Sequence, residues 1–274
     1  MSVSRHIVEQ ISMQPGDTFH ITPMSDLHLE SSCCNVRGLR EFIKERSQLP
    51  HHRFVVIGDV LDMIAAGGDR RYQKSVHIPE LADTDSWVNE AIQYAFEILA
   101  VPNAVYTMLS PGNHELEYTK RHGFDPISVL CDKLGAQRGG YSGVIDWRVD
   151  VNGHTGRLRA LFHHGAWGGR YAKGYNGAQH FFHRFDGWNV ALYGHNHAST
   201  VDKETRQRAK KGELIKYNAY IINCGSWTDG YRKDASSTHY TERAGYVPQP
   251  TDSPLIRVTM PRVATAQLEY RVET

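Results

Sequence analysis

The chain has 274 residues, enough for one large domain or two small ones and for a substantial core without disulfide or metal staples. Its 31 Lys and Arg stand against 30 Asp and Glu, a net charge of +1, so the global field excludes a nucleic-acid coat protein or a membrane-surface binder and leaves room only for a locally basic groove. Cys33, Cys34, Cys131 and Cys224 have no C-x-x-C spacing, and neither an apolar leader nor a run of membrane-spanning length is visible, so the expectation is a soluble cytoplasmic protein with reduced thiols.

In chain order, the first predicted strand is "FHITPMSD" (19–26), followed by a helix over 36–49 with apolar positions at helical spacing and a strand "FVVIGD" (54–59). A loop-like stretch, 64–82, leads to a helix over 83–100 that starts with capping residues and stops before Pro102, then to "AVYTMLSPGN" (104–113). The segment 125–135 opens on Asp-Pro and closes on Gly, the signature of a short helix. Residues 139–163 read as consecutive strands, with "LRALFHHG" (158–165), "NVALYGH" (189–195) and "AYIINCGS" (219–226) as further strands, and "PLIRVTM" and "ATAQLEYRV" as a closing hairpin. Apolar residues on consecutive positions mark strands buried on both faces. The expected fold is therefore α/β: a four-layer sandwich of two mixed β-sheets flanked by helices, in a single domain, 1–274, with the C-terminal strands (255–272) completing the sheets.

Polar ligands collect where these strands finish. After the first come Asp26 and His28, after the second Asp59 and Asp62, after the third Asn113, His114 and Glu115. The fourth ends in His163 and His164, the fifth in His195 and His197. Each piece alone is cheap: with 16 histidines an H-x-H pair is expected by chance, and Gly-Asp or Pro-Gly-Asn after a strand is ordinary turn chemistry. What is improbable is all five in one order, each directly after an apolar run, at the edge where α/β sheets place their sites.

With these blocks in view, D-x-H at 26–28, G-D-x-x-D at 58–62, G-N-H-E at 112–115, H-H at 163–164 and G-H-x-H at 194–197, the chain resembles the calcineurin-like metallophosphoesterases over roughly residues 19–226. "IINCGS" is similar to the strand-then-Gly-Ser block that follows the last metal motif of that family. The resemblance implies two divalent or mixed-valence metal ions bridged by Asp59, the first completed by Asp26, His28 and His197, the second by Asn113, one histidine of the 163–164 pair and His195. Alternation along a strand lets one of His163 and His164 point at the metals, and the following Gly favours His164. An all N/O donor set without thiolates suits Mn, Fe or Zn. Two ions about 3.5–4 Å apart can clamp phosphoryl oxygens and acidify a bridging water, so that hydroxide attacks phosphorus. By the same resemblance His114 donates a proton to the departing alkoxide, while Asp62 and Glu115 are helix-capping or ligand-orienting groups.

Substrate clues are thinner. No Arg follows Asp62, where the resemblance to the Ser/Thr protein phosphatase branch would require a phosphate-gripping Arg, so protein dephosphorylation is disfavoured. The loop 165–177 offers Arg170 and Lys173 as substrate-binding cations together with Trp167, Tyr171 and Tyr175, and 67–80 offers Arg70, Arg71 and Lys74; both could equally be solvated surface. The expected activity is hydrolysis of a phosphodiester of a nucleotide or nucleic acid. The alternatives are a small-molecule phosphomonoesterase or pyrophosphohydrolase, and a non-catalytic metal-binding scaffold.

Overall fold

A computed structural model describes residues 3–64, 78, 81, 86–151, 154–167, 175–210, 212–231, 248–260 and 268–274. The described elements run β1 (Ser4–Ser12), β2 (Thr18–Met24), α1 (Val36–Arg46), β3 (Arg53–Ile57), α2 (Trp87–Leu99), β4 (Tyr106–Ser110), α3 (Asn113–His122), α4 (Pro126–Leu134), β5 (Gln137–Val151), β6 (His154–His163), α5 (Tyr175–Phe182), β7 (Val190–Tyr193), β8 (Ser199–Lys210), β9 (Glu213–Cys224), β10 (Leu255–Thr259) and β11 (Glu269–Glu273). Among the described residues no helix is long and apolar enough to cross a membrane.

The strands form one continuous mixed sheet in the order β11-β10-β2-β3-β4-β5-β6-β7-β9-β8, with β1 added on β5. This corrects the expected four-layer sandwich of two sheets: the sheet is single and curls into a nearly closed, barrel-like form. The reason is β5. Its first residues pair with β4 (Met108 with Gln137, Leu109 with Arg138), and the same strand then pairs antiparallel with β6 and parallel with β1. At 15 residues it spans about 50 Å and joins the two halves into one ladder. Gly143 permits the crossover, since a Cβ there would lie 2.6 Å from the Arg5 carbonyl and 2.8 Å from the Phe162 ring.

The curl brings the far edge back. The hydroxyl of Tyr270 on β11 donates to the Asn218 carbonyl of β9 and accepts from Asn189 Nδ2 at 3.0 Å, with its ring 6.0 Å from that of Tyr220. Inside the curl lies one apolar core built from alternate residues of nearly every strand, including Ile7, Phe19, Ile21, Val55, Ile57, Trp147, Phe162, Leu192 and Ile222. The intervening residues of the same strands, such as Met24, Phe54, Val56 and Leu109, face outward and are covered by α1, α2 and α4. On the other half α5 covers Leu161, Ala191, Tyr193 and Ile221. Burial on both faces is why these strands lack polar alternation.

Helix ends follow local chemistry. Asp125 accepts from Ser128 N at 3.1 Å and Gly135 takes a left-handed conformation, bounding α4. α3 is an element that the turn-like "PGN" did not suggest: Glu115, in its first turn, accepts the Gly112 N–H at 2.8 Å and starts the helix directly after β4.

Candidate metal centre

The side chains singled out above stand on loops leaving the C-terminal ends of β2, β3, β4, β6 and β7. β2, β3 and β4 are parallel neighbours, as are β6 and β7, so these ends gather on one side. Beyond the strands the first two loops continue the ladder: Asp26 N, His28 N and Leu29 N donate to Gly58 O, Asp59 O and Val60 O at 3.1, 3.0 and 3.0 Å. Asp26, His28, Asp59, His195 and His197 all adopt left-handed backbone conformations, with φ between 46° and 77°. Each such non-glycine residue carries strain of about 1–3 kcal/mol, and residues held this way cluster at functional sites.

Asp26, His28 and His197 bring one ligand atom each to within 4.8 Å of one another. His28 Nδ1 donates to Asp62 Oδ1 at 2.8 Å, which leaves Nε2 with its lone pair; that atom and Asp26 Oδ1 are buried without a hydrogen-bond partner. Buried polar atoms are normally satisfied, so an unpaired carboxylate oxygen beside an unpaired imidazole lone pair is the donor set a cation would fill. His197 Nε2 faces the same Asp26 Oδ1 at 3.6 Å.

A second group joins Asp59, His164 and His195 within the same span. His164 Nδ1 donates to the Ile57 carbonyl at 2.9 Å, so its bare Nε2 confronts Asn113 Oδ1 at 3.1 Å and Asp59 Oδ2 at 3.2 Å. Three acceptors facing one another require a cation or an added proton. Burial opposes that proton, yet the Asp59 and Asp26 carboxylates outweigh it and draw the His164 ring up to about 9. Asn113 Oδ1 also meets His195 Nδ1 at 2.8 Å. The two groups meet at Asp59, whose Oδ2 is 3.2 Å from His164 Nε2 and 3.9 Å from His28 Nε2, while Oδ1 accepts from His114 N at 3.1 Å. Each group offers the buried nitrogen and oxygen donors that a cation would need, with the Asp59 carboxylate standing between them.

Around this core sits a supporting layer. Asp62 accepts from His28 Nδ1 and also lies 3.1 Å from His114 Nδ1, whose proton points to the Asp62 carbonyl at 2.5 Å. Burial tends to raise the Asp62 carboxyl, but the bonds from His114 and His28 hold it well below the usual carboxylate range. Glu115 ties two loops together, accepting Leu61 N at 2.9 Å and Gly112 N at 2.8 Å, and burial pushes it up to about 7. Two glycines make room: a Cβ on Gly112 would fall 2.0 Å from Asp59 Oδ1, and one on Gly194 1.9 Å from Ser25 Oγ and 2.6 Å from Asp26 Oδ2.

No protein-family profile matches the chain, and no curated protein sequence matches it. Among solved structures, a hypothetical protein from Thermus thermophilus is similar at 14% identity and a TM-score of 0.42, over 93% of this chain and 100% of that one. The structure of GAP50, the anchor in the inner membrane complex of Plasmodium, is similar at 9% identity and a TM-score of 0.44, over 93% of this chain and 84% of its own. Neither likeness bears on function.

Of the histidine pair ending β6, His164 enters the cluster and His163 does not. Alternation turns His163 to the other face, where its Nδ1 accepts from Gly165 N at 2.9 Å and its ring packs on Tyr141, Trp167 and Phe181. Arg170 and Lys173, and likewise Arg70, Arg71 and Lys74, lie outside the described residues. Two supporting groups carried no motif. Glu30 is fully buried and accepts from Met63 N at 2.6 Å, and Thr228 bonds to His197 Nδ1 at 3.0 Å. A carboxylate inside the apolar stretch around Leu27 and Leu29 was the available signal for Glu30; for Thr228 there was none.

Proposed function

We propose that this protein is a binuclear metal-dependent phosphoesterase of the calcineurin-like kind that hydrolyses a phosphodiester of a nucleotide or nucleic acid. The observation that supports it most is the Asp59 carboxylate standing between two sets of ligand atoms, His28 Nε2 on one side and His164 Nε2 on the other. Asp26, His28, His197 and Asp59 would hold one ion, and Asp59, Asn113, His164 and His195 the other. When bound, two ions of the Mn, Fe or Zn type supply positive charge to the phosphoryl oxygens and acidify a water.

The chain's own contribution is His114. Its ring is only slightly exposed, with the Nδ1 proton held by the Asp62 carbonyl and the Asp62 carboxylate alongside at 3.1 Å. In its imidazolium form the ring would carry on Nε2 the proton that a departing alkoxide needs. Asp62 thus orients His114 and His28 at once. A cytoplasmic location belongs to the same reading and rests on four buried cysteines that form no disulfide.

Reconstitution with manganese and assay on bis-nitrophenyl phosphate tests the reading, and nitrophenyl phosphate and a nucleoside pyrophosphate in parallel separate the diesterase from a phosphomonoesterase or pyrophosphohydrolase. Diester turnover that vanishes with chelator is the expected result. Absence of turnover on all three, with both metals bound, would leave the scaffold reading.

A further inference from the structure

Resting on that reading of the metal centre, we propose that Thr228 and Ser226 are positioning residues that set the tautomer of His197 through a one-way hydroxyl relay. His197 Nδ1 meets Thr228 Oγ1 at 3.0 Å, Thr228 Oγ1 meets Ser226 Oγ at 2.9 Å, and Ser226 Oγ reaches the Asp26 carbonyl at 2.9 Å. The polarity of this chain follows from counting protons. A carbonyl oxygen only accepts, so the single Ser226 hydroxyl proton is committed to Asp26 O. Ser226 Oγ must then accept from Thr228, which uses the single Thr228 proton. Thr228 Oγ1 is left to accept, so the proton between it and His197 belongs to His197 Nδ1.

Neutral His197 is thereby held with Nε2 bare, aimed at Asp26 Oδ1 at 3.6 Å, the buried oxygen that has no partner. The relay starts and ends on residues of the same candidate ion site, Asp26 and His197, and both are strained, with φ of 52° and 58°. Its frame is fixed from outside: Trp227 N donates to Asp26 O at 3.1 Å, Thr228 N to Ser226 Oγ at 3.1 Å, and the turn is pinned by Asn35 N to Trp227 O at 2.8 Å and Asp229 N to Cys33 O at 2.8 Å. A hydrogen bond to the remote ring nitrogen fixes which nitrogen is free to ligate. The polar stretch after "IINCGS" thus contributes a defined part to the site.

The test uses the full-length chain and the variants Thr228→Val, Thr228→Ser and Ser226→Ala. In metal-free, nitrogen-15-labelled protein, long-range imidazole correlations assigned by their loss in His197→Gln should show Nδ1 protonated in wild type and Thr228→Ser. Thr228→Val and Ser226→Ala should shift His197 toward the other tautomer. Calorimetric titration with manganese should show a loss of about 10- to 100-fold in affinity at one of two sites in Thr228→Val, with recovery in Thr228→Ser and an unchanged unfolding midpoint. An Nε2-protonated His197 in wild type would overturn the proposal, as would wild-type tautomer and affinity in both Thr228→Val and Ser226→Ala. If wild type bound no manganese, the metal reading would fall, while the tautomer signal would still decide the relay.

Discussion

Asp59→Asn probes the centre most directly. The substitution keeps the shape and an oxygen able to accept His114 N, now 3.1 Å from Oδ1, but removes one negative charge from the point where the two ligand groups meet. Two unit charges 4 Å apart interact by about 4 kcal/mol at an effective dielectric near 20, and a divalent ion doubles that before losses to solvation. Even a third of it, about 2.7 kcal/mol, is a hundredfold in affinity. Because Asp59 Oδ2 is 3.2 Å from His164 Nε2 and 3.9 Å from His28 Nε2, both ions should weaken together. The expected outcome, read by elemental analysis after gel filtration and by manganese titration, is loss of at least a hundredfold at both sites. In metal-free protein the substitution also removes the carboxylate that raises the His164 ring, so the unfolding midpoint at neutral pH should fall as well. Two equivalents retained at wild-type affinity would refute the shared-carboxylate geometry, and loss of one ion alone would assign Asp59 to a single site.

His114→Ala should keep both ions and lose about 10²–10⁴ in turnover on a diester, measured at saturating manganese; activity near wild type would remove the proton-donor role. Gly112→Ala drives a Cβ to 2.0 Å from Asp59 Oδ1 and 2.4 Å from the Asp59 backbone nitrogen, so it should destabilise by about 1–3 kcal/mol in urea unfolding and lower metal content. Wild-type stability and occupancy in the Gly112→Ala variant would show that the loops are not packed this closely. Away from the site, burial, with His20, Arg46 and Arg53 adding to it, pushes the His52 ring down to about 3. The unfolded ring takes a proton near 6.5 and the folded ring does not, so stability is present above that value and is lost as pH falls toward the folded one. Between pH 7.5 and 5.5 wild type should lose about 1.3 kcal/mol more than His52→Gln in chelator-treated urea titrations, and parallel losses would contradict the buried neutral ring.

Much of the architecture was legible because it is local. Val55 and Ile57 face the interior while Phe54 and Val56 face α1 and α2, so the run "FVVI" is apolar throughout and reads as a doubly buried strand. Asp125 and Gly135 bracket α4 by capping chemistry that four residues suffice to specify. β1 and β8 went unread because each carries charged and exposed positions; β1 is held by pairing with the distant β5, and β8 by a hairpin with β9, the next strand in the chain. The single curled sheet was illegible because whether β5 ends one sheet or joins two depends on partners that its own residues do not name.

The order of side chains along the chain was enough to pick out Asp26, His28, Asp59, Asn113, His195 and His197 as a set, because each directly follows a strand and strand ends are set by short-range pattern. The following Gly already favoured His164 over His163, and the tertiary structure placed it in the cluster; tertiary structure alone decided that Asp62 serves His28 and His114 together and that Thr228 stands behind His197. Those facts depend on strand register and on contacts between loops dozens to hundreds of residues apart, and no local pattern encodes such distances.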